Sequence, residues 1–204
     1  HAMPKGAIGY VELNGLGNKL IQLRDSDSLK TLLATPQYKQ LVTNPDFNKV
    51  LAGKALVEGV LGMDLWTAAD KLLNEATLGV YPDNGGELKP LLMFRMQGEE
   101  ALAKVVNMVN ALITLADNEN VKRQKSGELQ IISLDESVFL AFQKDWVVVA
   151  ASRDLLDQAI AGLSGRGAKS MAEDLVYNKV KTKMPGKPWI MPPPVSQASY
   201  IPVD

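Results

Sequence analysis

Three apolar runs, at residues 129–134, 138–142 and 146–151, follow one another almost without pause. Their only links are Asp135-Glu136-Ser137 and Gln143-Lys144-Asp145. A parallel connection needs a crossover of about a dozen residues or more, so links this short dictate antiparallel hairpins. The third run, Trp146-Val147-Val148-Val149-Ala150, is apolar at consecutive positions. A strand that alternates inward and outward side chains reads this way only when both its faces are covered, so this one belongs at the centre of a sheet.

The other elements assemble around that core. Residues 7–13 (AIGYVEL) read as a first strand closed by Asn14-Gly15. A helical segment over 18–73 is punctuated at Pro36, Pro45 and Gly62. Two of its breaks share one grammar, Thr35-Pro36-Gln37-Tyr38 and Asn44-Pro45-Asp46-Phe47: a capping residue, then proline where its missing N–H costs nothing. Asp64 caps a further helix bearing Leu65, Ala68, Ala69, Leu72 and Leu73. Runs at 76–81 and 88–96 flank Asp83-Asn84-Gly85-Gly86, a hairpin connection, and Pro90 places that end of its strand at an edge or irregularity. Leu102, Val105, Val106, Val109, Leu112, Ile113 and Ala116 form one helical stripe after Glu99 and Glu100, whose charges suit a helix N-terminus. Ser152 caps a helix with Leu155, Leu156, Ala159, Ile160 and Leu163 inward, and Ser170 with Glu173 forms a capping box for a last helix ending near Lys183.

The resulting order is β-α(several)-ββ-α-βββ-α-α, an α+β fold with a mainly antiparallel sheet of about six strands and helices packed on it. The expected layout is a cloning scar at 1–3, a single domain over 4–184, and a proline-rich tail or linker over 185–204. The tail's Trp189, Ile190, Met191, Tyr200 and Ile201 suit packing on the body or on a neighbour.

Composition removes whole classes of chemistry. There is no cysteine, and the single histidine is His1, inside the presumed scar. Thiolate and imidazole metal sites, cysteine nucleophiles and Ser-His-Asp triads therefore lack their residues. A formal net charge of −1 supplies no field for nucleic acid. The densest cationic group, Lys122, Arg123 and Lys125, lies in the polar stretch 117–127 and reads as a solvated loop. No apolar stretch approaches the roughly 20 residues that a membrane-spanning helix requires, so direct membrane insertion is not expected.

The apparent motifs dissolve on inspection. Gly162-Leu-Ser-Gly165-Arg-Gly167-Ala168-Lys169-Ser170 resembles a phosphate loop, but Ala168 stands where lysine must follow glycine and the segment leaves a helix. Glycines after a helix followed by a capping serine account for it. Gly15-x-Gly17 is half of a dinucleotide fingerprint, with Leu20 where the third glycine would stand, and reads as a tight turn. Asp25 with Asp27, Glu99 with Glu100, Asp135 with Glu136, and Glu173 with Asp174 all fall in turns or first helical turns. Asp83, Asn84 and Glu87 miss the calcium-loop spacing. Trp66, Trp146 and Trp189 do not form one platform; the first two and the Met93, Phe94, Met96 group read as core. No catalytic, cofactor-binding or metal residue is assigned.

Other residues carry a resemblance. Tyr10-Val11-Glu12-Leu13 precedes the two proline-started helices; much later come Ser152-Arg153-Asp154-Leu155-Leu156, Leu163-Ser164-Gly165, Ser170-Met171-Ala172-Glu173-Asp174 and Tyr177. Over residues 6–180 this resembles a repeated domain of unknown function found in large bacterial exported proteins, with Met171 in place of the usual leucine. The resemblance implies an extracytoplasmic setting, periplasm or cell envelope, and a chain continuing beyond Asp204; it brings no catalytic residues. The functional expectation is a non-catalytic structural or interaction module, partnered by another protein or a neighbouring domain of its own chain. The alternative is a domain that binds a small molecule or lipid in an apolar pocket between the sheet and the helices of 18–73. Two carboxylates, or a Lys-Ser pair, converging in one cleft would instead point to an enzyme.

Overall fold

The computed structural model describes residues 3–83, 85–116, 120–135 and 137–165, with 173, 178–179, 182, 189–191 and 201–202. The chain begins with strand β1 (Gly9–Asn14) and then five helices: α1 (Leu16–Asp25), α2 (Asp27–Ala34), α3 (Pro36–Val42), α4 (Pro45–Leu61) and α5 (Leu65–Leu72). Strands β2 (Leu73–Pro82) and β3 (Leu88–Met96) lead to α6 (Glu99–Ala116). Four strands follow, β4 (Val121–Ser126), β5 (Leu129–Leu134), β6 (Val138–Gln143) and β7 (Trp146–Ala150), then α7 (Arg153–Leu163). Short strands β8 (Trp189–Met191) and β9 (Ile201–Pro202) come from the tail.

The architecture is α+β on an antiparallel sheet ordered β4-β5-β6-β7-β3-β2-β1-β8-β9. Strand β7 lies between β6 and β3, in the middle of the seven strands that precede the tail, as its unbroken apolar run requires. Val148 and Ala150 face a core closed by Leu155, Leu156 and Ala159 of α7. Val147 and Val149 face the opposite side, where α4, α5 and α6 pack. Alternation also divides Met93, Phe94 and Met96: the first enters the α7-side core, the other two the opposite one.

Both proline-started helices form as their grammar dictates. Thr35 and Asn44 accept hydrogen bonds from the N–H groups of Tyr38 and Asp46, with proline at the first helical position. The repeated spelling brings Tyr38 and Phe47 edge to face, ring centroids 6.3 Å apart. Pro90 sits where the β3–β7 ladder ends at Leu91 and Ala150; its carbonyl accepts from the Ala151 N–H, and its lack of a donor breaks no rung.

One element departs from the sequence reading. Residues 121–126, read as loop, form the edge strand β4 in register with β5, which adds a strand to the expected six. An edge strand has little to bury, so Lys122, Arg123, Gln124 and Lys125 are compatible with it, and such charges guard edges. The proline-rich tail, whose apolar residues suit packing on the body or on a neighbour, contributes β8, paired on β1. Met3, assigned to the presumed scar, is 1% exposed and packs in the α7-side core, while Tyr81 donates its hydroxyl to the Pro4 carbonyl at 2.9 Å. Lys183 and the capping box at Ser170, with Tyr177, lie outside the described residues, as does the motif between Gly165 and Ser170.

Candidate functional site

Helices α4, α5 and α6 do not close fully on the sheet. Between them lies a cavity of about 340 Å³. Val57 and Leu61 enter it from α4, Leu65, Ala68, Ala69 and Leu72 from α5, and Val105, Met108 and Val109 from α6. Its floor is Leu73, Phe94, Met96, Leu140, Val147 and Val149. Every lining side chain is hydrocarbon or thioether. The gap has a local cause: α6 presents branched side chains to the sheet, whereas α5 offers alanines at 68 and 69 that fill little of the angle between the helices. The space is open to solvent along one side and offers an apolar guest a continuous hydrocarbon wall.

The α4–α5 corner that roofs the cavity is held by polar groups outside it. Gly62 ends α4 at φ 67°, a left-handed conformation open to glycine. Glu58 receives Lys54 Nζ at 2.6 Å and the Leu65 N–H at 2.9 Å, and these partners hold its carboxyl below the usual carboxylate range. The Asp64 carboxylate caps α5 by accepting from the N–H groups of Trp66 and Thr67, both at 3.0 Å, and from the Thr67 hydroxyl, which likewise lowers its pKa. Leu56 and Val60 of α4 are exposed, and Leu65 is partly exposed while lining the cavity.

The other face of the sheet carries a larger, polar cavity of about 570 Å³, bordered by Glu12, Asn14, Glu75, Thr77, Arg95, Trp146 and the end of α7. Here two carboxylates do share one space, the arrangement an enzyme without histidine or cysteine would need. They are engaged, however. Glu12 accepts from the Tyr10 hydroxyl at 3.0 Å and the Asn14 amide at 3.1 Å, Glu75 has polar contacts of its own, and Arg95 donates to Asp145 at 2.8 Å with its guanidinium 6.0 Å from the Trp146 ring centroid. The groups meet across β1, β2, β3 and β7, at separations that no local spacing in the chain signals.

The sequence-level candidates are dispersed. Gly15 starts α1 at φ 64°, a left-handed turn conformation with open space around it, and Gly17 abuts the α5 backbone, so the first serves the turn and the second packing. Asp83 accepts from the N–H groups of Gly85 and Glu87, both at 2.8 Å, which makes it the organiser of the β2–β3 turn; Asn84 lies outside the described residues. Asp25 pairs with Arg24, Asp27 with Lys30 and Glu100 with Lys104. Among the described residues no group of three acidic or imidazole side chains could hold a metal, and no helix is long and apolar enough to cross a membrane.

No protein-family model and no curated protein matches the chain. Among solved structures, one reported as "Structure of crystal form I of TP0453" is similar at 8% identity with a TM-score of 0.45. That likeness covers 93% of this chain, which spans 59% of the other.

Proposed function

We propose that this chain is a non-catalytic binding module that holds an apolar small molecule or lipid chain between its sheet and helices α4, α5 and α6, within a larger bacterial protein exported from the cytoplasm. The observation that carries the binding role is the cavity of about 340 Å³ with an entirely apolar lining, at the small end of the roughly 300–1,000 Å³ usual for ligand sites. The α6 stripe does pack on the sheet through Val105, Val106, Val109 and Ile113, yet it leaves this volume unfilled. Leu65, which lines the site, is itself partly exposed, so the site is open to solvent. The absence of cysteine and the lone His1 support a non-catalytic role. The exported setting rests on the resemblance of residues 6–180 and is tested by fractionating cells that carry the native gene; recovery in the cytoplasm would reject it.

The binding role is tested with 1-anilinonaphthalene-8-sulfonate, a dye that brightens in apolar surroundings. The native protein should bind it saturably. Ala68→Phe, which fills the cavity from α5, should weaken binding about tenfold or more, the loss expected when an apolar guest is displaced. Val57→Trp, from the roof, supplies a second route if the first variant does not fold. Unchanged dye binding in a folded variant would refute the site.

A further inference from the structure

We propose that the outer edge of β4 takes up an extended, acidic peptide as an added strand. Strand β4 ends the sheet, and among the described residues only β5 pairs with it. A strand paired on one side leaves alternate N–H and C=O groups on the other, the template that strand addition uses. Its sequence Val121-Lys-Arg-Gln-Lys-Ser126 carries three cations and no anion, in a chain whose net charge is −1. Alternation puts Arg123 and Lys125 on one face and Lys122 and Gln124 on the other. A neighbouring acidic strand would meet Arg123 and Lys125 on one face, and opposite charges across a strand pair are favourable.

The α7 face adds a receptacle. A pocket of about 340 Å³ opens beside the edge, with Lys122, Gln124 and Arg153 above Ile131, Ser133 and Phe139. Arg153 is fixed there: its Nε donates to both Asp157 oxygens at 3.0 Å and its Nη1 to Gln124 Oε1 at 3.2 Å. Among the described residues, anions close to β4 in the chain or its ladder are Asp135 after Leu134 and Glu128 in the β4–β5 turn, while Asp157 of α7 is already paired with Arg153. The apolar floor of Ile131 and Phe139 suits the methylenes of a glutamate side chain lying along the edge. Nothing in this proposal depends on the apolar cavity across the sheet. Edge cations also guard against unwanted pairing, and the experiment separates the two roles.

A fluorescein-labelled peptide of alternating glutamate and valine, its lysine-valine counterpart, and a glutamate-valine peptide N-methylated at alternate residues are titrated against the full chain by anisotropy. Methylation keeps the charge but abolishes one edge of strand pairing. The acidic peptide should bind saturably, the methylated one about tenfold more weakly, and the lysine peptide weakest. Arg123→Glu combined with Lys125→Glu, both exposed, should weaken the acidic peptide about tenfold without changing the melting temperature, with the loss shrinking at high salt. Slowed amide exchange in β4 should accompany binding. The proposal is overturned if the acidic peptide shows no saturable binding, if methylated and parent peptides bind alike, if the lysine peptide binds as well, or if the folded double variant binds normally.

Discussion

Gly17 sits in the first turn of α1, where a Cβ would come within 2.5 Å of the Ala69 carbonyl oxygen and 2.7 Å of Asp70 Cα. Gly53, in the middle of α4, has open space where its Cβ would go. The same substitution therefore has opposite signs at the two sites. Gly17→Ala should destabilise by about 1–3 kcal/mol through overpacking against backbone, and Gly53→Ala should stabilise by about 0.5–1 kcal/mol by restricting the unfolded chain. Urea unfolding of both variants checks this pair. At this scale the sequence was legible where a residue acts on its own neighbours: the caps at Thr35, Asn44, Asp64 and Ser152 all form. Gly17 could be read as part of a tight turn, but its reason, a helix many residues away, could not. Nor could Tyr81, whose buried hydroxyl meets Pro4 far along the chain.

Among elements, the α4–α5 corner responds to acid. Glu58 has its carboxyl lowered by Lys54 and the Leu65 N–H, so its stabilising effect is complete above the ordinary carboxylate pKa and disappears as pH falls through the lowered value. Thermal unfolding of Glu58→Gln should fall below the native protein at neutral pH and converge with it in acid. A constant gap at all pH values would remove Glu58 from the corner. Helix α6 offers a second test: Val109 packs on the sheet-side core, and Val109→Asp should cost roughly 2–3 kcal/mol by placing a carboxylate among apolar groups. An unchanged melting temperature would mean the stripe is not core. The antiparallel run β5–β6–β7 was legible because three-residue links leave one geometry available. Strand β4 was not, because an edge strand with one half-buried residue and five exposed ones lacks the apolar pattern by which strands are recognised.

For the whole molecule, the apolar cavity follows from what the helices leave empty, and no residue spells a vacancy. The sequence reading set a pocket between the sheet and 18–73; the groove observed is lined by α4 and α5 from that segment and also by Val105, Met108 and Val109 of α6. The α+β class and the central place of β7 follow from the chain; the polar convergence of Glu12, Glu75 and Arg95 depends on a register that only the folded sheet shows. The most direct test of the binding role is calorimetric titration with alkyl sulfates of increasing chain length, below their micellar concentrations. A site of limited volume predicts affinity that rises about fourfold per methylene, levels off once the space of about 340 Å³ is filled, and levels off earlier in Ala68→Phe. Affinity that keeps rising with chain length, or a series unchanged in the folded variant, would contradict it.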